Sequence, residues 1–134
     1  MKKTKLSLLL ALMLAPTVMT TSCSKDDDPG NDLIGKWKGV FEYENTIFQF
    51  NADGTLFRSF EDDRNGWEYQ DNNEYTVNGS SLRIDFNIEN NVVDDYTIGT
   101  YTINDNTLTY VYTWHDGQGK WDHDDEHITI LTRM

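Results

Sequence analysis

From Leu33 onward, apolar and polar residues alternate along the chain, and no window carries helical periodicity of useful length. The segment Leu82-Arg83-Ile84-Asp85-Phe86-Asn87-Ile88 is the clearest case. Its apolar residues point to one side and Arg83, Asp85 and Asn87 to the other, the spacing of a strand with one buried face. Thr107 to Trp114 repeats the pattern, with Leu108, Tyr110, Tyr112 and Trp114 opposite Thr107, Thr109 and Thr113. Turn chemistry interrupts these runs at Asn51-Ala52-Asp53-Gly54, Asn78-Gly79-Ser80, Asn104-Asp105-Asn106 and His115-Asp116-Gly117-Gln118-Gly119. Weaker breaks fall at Glu44-Asn45, Asp62 to Gly66 and Glu89 to Asn91. Strands are therefore predicted at 33–43, 46–51, 55–61, 67–77, 82–88, 93–103, 107–114 and 123–133, with a candidate split of the fourth at Asp71-Asn72-Asn73. Strands at this spacing, joined in order by short turns, predict an all-β fold: a single eight-stranded up-and-down antiparallel barrel. A β-sandwich is the competitor, which periodicity alone does not separate.

The first thirty residues follow a different pattern. Lys2, Lys3 and Lys5 precede an apolar run from Leu6 to Met19, followed by Thr20-Thr21-Ser22-Cys23. A basic start, a short apolar stretch and small residues before a cleavage point are the marks of a secretory signal, and the stretch is too short to span a bilayer stably. The arrangement resembles a bacterial lipoprotein signal, with Thr20 where leucine is commonest. That resemblance implies a signal peptide at 1–22 and Cys23 as the acylated (palmitate-type) mature N-terminus. Ser24, Lys25, Asp26, Asp27 and Asp28 behind it look like the export signal that carries some lipoproteins to the outer face of the outer membrane. Residues 23–32 read as a lipidated flexible tether, and 33–134 as the barrel domain.

Two short motifs sharpen the barrel reading. Gly35-Lys36-Trp37 opens the first strand, and Arg133 lies in the last. The pair resembles the lipocalin-like (calycin-type) domain, in which a G-x-W tryptophan closes one barrel end beneath an arginine from near the C-terminus. Asp53-Gly54-Thr55 matches a turn common in the small bacterial members, whereas Asp95-Tyr96 is only a fragment of the T-D-Y of larger lipocalins. The resemblance implies that Gly35, Trp37 and Arg133 close the barrel, and a cation–π contact there is worth ~0.5–2 kcal/mol.

Charge narrows the function. The chain carries 23 acidic and 11 basic residues, a net charge of −12, and loss of residues 1–22 removes three lysines and no carboxylate, leaving −15. A chain this acidic has no electrostatic footprint for nucleic acid, and an anionic membrane surface would repel it, so attachment falls to the lipid. With its single cysteine acylated, no disulfide forms, and the fold stands on its core.

Nucleophilic catalysis has no candidate, while the many carboxylates leave a glycosidase-like acidic pair open without distinguishing one. No serine sits in a nucleophile elbow, and no His-containing triad spacing occurs. His115-Asp116 and Asp122-His123-Asp124-Asp125-Glu126-His127 invite a metal reading. In an extended strand, however, same-face neighbours stand about 6.5–7 Å apart and converge poorly on one ion. The stretch is read as a solvated acidic edge, with no metal and no cofactor. Aromatics beside turns are more telling: Trp67 follows Asn65-Gly66, and Trp114 and Trp121 flank the 115–120 loop, where a ligand at a barrel mouth is gripped.

Together these readings predict a non-enzymatic, outer-membrane, cell-surface lipoprotein. Its partners would be the membrane, through the lipid, and a small apolar or amphipathic molecule or a glycan. The alternative is a solid-core accessory or inhibitor module that recognises another protein through its acidic surface. An interior filled by Trp37, Phe41, Phe86 and Tyr110 would move recognition from a cavity to the surface.

Overall fold

A computed structural model describes residues 31–121 and 125–134. The expected signal peptide at 1–22, Cys23, the expected export signal at 24–28 and most of the expected tether lie outside the described residues. After a single 3-10 turn at Asn31–Leu33 come eight strands: β1 Gly35–Phe41, β2 Glu44–Phe50, β3 Thr55–Asp62, β4 Gly66–Asn78, β5 Ser81–Phe86, β6 Asp95–Asn104, β7 Thr107–Asp116 and β8 His127–Arg133. Each pairs antiparallel with its neighbours in sequence, and β1 pairs with β8, so the sheet closes into a barrel. That closure rules out the sandwich.

The barrel has two unlike ends. Turns 51–54, 79–80 and 105–106, the chain entry and Met134 lie at the base. Turn 42–43, loops 63–65 and 87–94, and residues 117–121 and 125–126 surround the mouth. Between them the interior is filled. Trp37, Phe41, Phe48, Leu56, Phe86 and Tyr110 belong to one cluster of side chains at most 9% exposed, each worth ~1.5–3 kcal/mol for its burial. The Tyr110 hydroxyl, deep in this cluster, bonds Leu82 O (3.0 Å) and Thr97 Oγ1 (2.9 Å), so the one polar atom it buries is satisfied.

The base is sealed by the first and last strands. Trp37 and Arg133 are register partners, with the guanidinium carbon 4.2 Å from the indole centroid. Trp37 Nε1 donates to Leu33 O (2.8 Å), while Arg133 donates to Ile34 O (3.3 Å) and Asp32 O (2.7 Å), clamping the entering chain. Gly35 has φ +130°, and a Cβ there would stand 3.4 Å from Arg133 Nη1. At Gly39 a Cβ would lie 2.5 Å from Ile130 O, so the tight approach of β1 to β8 requires glycine. Above Gly39 the pairing ends: only Trp37–Gly39 pair with β8.

Several boundaries differ from the predicted ones, among them the end of the fifth strand, which stops at Phe86 because Asn87 turns to φ 51°. The first hairpin turns at Glu42-Tyr43, not Glu44-Asn45. Both residues have positive φ (50° and 72°), the primed two-residue geometry that suits strand twist. The fourth strand does not split. Leu56 pairs with Asn73 and Arg58 with Gln70, so Asp71 and Asn72 face the single Phe57 in a bulge. The eighth strand begins at His127 and not at 123, and β7 runs on to Asp116. Asp116 ends it: the carboxylate accepts from Gln118 N (3.2 Å) and Lys120 N (2.7 Å), turning the chain away.

Candidate functional site at the barrel mouth

A cavity of about 430 Å³ opens at the mouth, lined by Asp95, Trp114, Trp121, Asp125 and His127. Inward alternation delivers Asp95 from the start of β6, Trp114 from the end of β7 and His127 from the start of β8. Trp121 follows the turn after β7 and is tied back to that strand by Asp116 N donating to Trp121 O (3.2 Å). Trp114 forms the floor, packed on Phe86 (5.3 Å) and Phe41 (5.9 Å).

One carboxylate organises this floor. Glu42, at the strained turn, accepts from Trp114 Nε1 and lies 3.5 Å from His127 Nδ1 through its other oxygen. The His127 ring stacks on Tyr112 (5.4 Å, 16°), whose hydroxyl meets Thr129 Oγ1 at 3.3 Å. Two consecutive non-glycine residues at positive φ store strain, and here the strain places Glu42 between two rings of the site. His127 also lines an adjoining 280 Å³ gap where β1 and β8 separate, beside Val40, Tyr43 and Ile128.

Against the same Phe41 and Phe86 rings lies a largely buried cation. Arg58 spans the rings of Phe60 (4.6 Å), Phe41 (5.2 Å) and Phe86 (5.8 Å) and pairs with Glu44 at 3.1 Å. Burial lowers its pKa and the nearby Glu44 and Glu42 oppose the shift. Arg58 Nε, Gln70 Oε1 and Asn73 Nδ2 have no protein partner, a polar niche on the bulged strand pair. Asp95 has its pKa raised, first by burial and then by Asp94 and Asp116. The mouth is thus aromatic below and carboxylate-rich around the edge: flat faces to stack on, and acceptors to take hydroxyl or ammonium protons.

The three tryptophans expected at the rim do not meet. Trp114 and Trp121 share the cavity, but Trp67 stands on the outside of β4 opposite Glu61, 48% exposed. There it forms an outer aromatic stripe with Tyr69, whose ring packs 5.8 Å from Phe57. His115 is also outside, stacked on Tyr96 at 4.9 Å, and Asp116 is buried in its turn, so neither joins His127. Among the described residues no group of three or more His, Cys, Asp or Glu is arranged to hold a metal ion; His123 lies outside them. Glu42 and Arg58 are not singled out by the sequence, and Asp95 enters there only within the T-D-Y fragment. Arg58 did leave a signal, a charge on the same face of a strand as Leu56 and Phe60.

No protein-family model, curated protein or solved structure matches this chain.

Proposed function

We propose that the chain is a lipid-anchored, surface-displayed barrel of the lipocalin-like kind that binds a glycan at its mouth without catalysis. One observation carries the reading: the interior is filled with side chains, and the cavity holding two tryptophans sits above it, not inside it. A ligand therefore lies on Trp114 and against Trp121, with Asp95, Asp125 and His127 at its edge. Sugar rings suit such a place, since their C–H faces stack on indole and their hydroxyls donate to carboxylates. A small amphipathic molecule is the second reading, favoured by the apolar gap beside Val40 and Ile128. The filled interior also fits a solid-core module that recognises a protein, and the same experiment separates them.

The test is calorimetric titration of residues 23–134 against glycans and bile-acid-like amphiphiles, with Trp121→Ala alongside. Loss of a stacking tryptophan at a binding centre is expected to weaken affinity by about tenfold or more. Binding unchanged by Trp121→Ala moves recognition away from the mouth. No binding to either ligand class favours the protein-recognition module.

A further inference from the structure

Acidic residues are not spread evenly over this barrel. In β2, β1, β8, β7 and β6 the only carboxylates are Glu44, Asp95 and Asp116, and the register turns all three inward with Phe41, Phe86 and each other. The outer face of these five consecutive strands therefore carries no acidic side chain, in a chain with 23. By contrast, Glu61, Glu74 and Asp85 stand outward on β3, β4 and β5. The acid-free face exposes Lys36 and Lys38 beside Val40 (55%), Ile98 (38%), Ile128 (66%) and Ile130 (59%), with threonines between them.

The chain enters the barrel beside this face. Arg133 fixes the entering backbone at Asp32 and Ile34, directly before the strand that bears Lys36 and Lys38. If Cys23 is acylated, the eight residues from Cys23 to Gly30 reach at most about 29 Å. That is little more than the roughly 23 Å length of a seven-residue strand. A barrel on so short a leash meets the bilayer repeatedly, and among the described residues only the strands of this face carry no outward carboxylate. Resting on the lipid-anchor reading, we propose that the β2–β1–β8–β7–β6 face lies against the anionic headgroup surface of the membrane. Lys36 and Lys38 meet lipid phosphates, and Ile128 and Ile130 enter the interface. Net charge alone predicts repulsion, but attraction depends on the charges within a Debye length of the surface, about 8–10 Å. A second copy of the chain fits the face less well, because pairing would set these lysines against each other and join two strongly acidic molecules. In the lipid-facing pose the mouth opens sideways and stays accessible.

Every strand follows Leu33 and the core begins with it, so the chain from Cys23 onward keeps the fold. Coupling the sole thiol, that of Cys23, to a maleimide-headgroup lipid supplies the anchor chemically. The coupled protein is placed in phosphatidylethanolamine–phosphatidylglycerol vesicles and treated with a membrane-impermeant amine-acylating reagent, with mass spectrometry reading each lysine. Lys36 and Lys38 are expected to react about fivefold more slowly than in free protein, as ~1 kcal/mol per surface-bound lysine implies, with Lys120 unchanged. Ile128→Asp with Ile130→Asp, and separately phosphatidylcholine vesicles, should restore their reactivity. Equal rates bound and free would overturn the proposal. So would protection that appears without lipid and grows with protein concentration, which assigns the face to a second copy. Flotation of cell-derived protein after a carbonate wash reports the anchor independently: failure there, with lysine protection intact in the coupled protein, removes the anchor reading and leaves the lipid-binding face.

Discussion

Arg133 lies over the ring of Trp37 as its direct register partner, joining the two ends of the domain at the one place where the barrel closes. The pair also fixes the entry of the chain, because Trp37 holds Leu33 O and Arg133 holds Asp32 O and Ile34 O. Trp37→Ala should therefore cost ~3–5 kcal/mol, as large buried aromatic truncations do, against a total domain stability of ~5–15 kcal/mol. Arg133→Ala should cost less, and little more when added to Trp37→Ala, since neighbours in contact are not additive. Urea midpoints of the two single variants and the double variant check this; strictly additive losses would show that the ring and the guanidinium are not energetically coupled.

The Glu42-Tyr43 turn makes a second prediction. Tyr43 has φ 72° and is 96% exposed, so its side chain packs on nothing while its backbone is held left-handed. Left-handed residues cost ~1–2 kcal/mol, and glycine gives back ~0.5–1 kcal/mol of that in unfolded-chain entropy. Tyr43→Gly should thus stabilise the barrel by up to ~1 kcal/mol, raising Tm by several degrees. A melting curve that moves down would mean that the tyrosine is in use.

The same turn shows where sequence reading stops. Strands β5 and β7 were legible because one buried face gives strict alternation. Neither Glu42 nor Tyr43 is a turn former; the turn is held by Trp114 and His127, more than seventy residues away. The acidic 115–127 stretch hid the start of β8 because Asp116 collects loop amides instead of continuing a ladder. Trp67 stands outside β4 for a reason that its place after the Asn65-Gly66 turn does not reveal. Counting back from the inward Tyr75 by twos puts residues 69 and 67 inside, but the bulge at Asp71-Asn72 shifts parity by one. Gln70 and Glu68 then turn inward and Tyr69 and Trp67 outward. Trp114 and Trp121 were legible as loop-flanking aromatics; Glu42 was not, since an isolated carboxylate in an acidic chain carries no signal, and the Asp95-Tyr96 fragment does not by itself place Asp95 at the mouth.

Attachment to the membrane is tested at Cys23, which lies outside the described residues. Cys23→Ala should abolish partition with membranes, because an acyl chain contributes ~0.8 kcal/mol per buried methylene. A variant that still fractionates with membranes after a salt wash would sink the assignment. Alanines at Lys25, Asp26, Asp27 and Asp28 should leave acylation intact but remove accessibility to protease added outside the cell. Unchanged access would remove the export signal alone.

Buried tyrosines should set the alkaline limit of the fold. Burial raises the Tyr112 hydroxyl from its ordinary value to about 12, with the bond to Thr129 opposing and Glu42 adding to the shift, and burial raises Tyr110 too. In the unfolded chain both phenols ionise near pH 10. Below that, both states are protonated and the full stability is present. Above it, the unfolded state sheds protons that the folded state retains, so stability falls as pH rises from about 10 through 12. Tyr112→Phe removes one of these groups and should flatten the fall, while Tyr110 maintains the rest. Urea midpoints followed from about pH 8 to 12 in both proteins decide the matter: parallel curves would mean that the Tyr112 phenol ionises in the folded barrel as readily as in water.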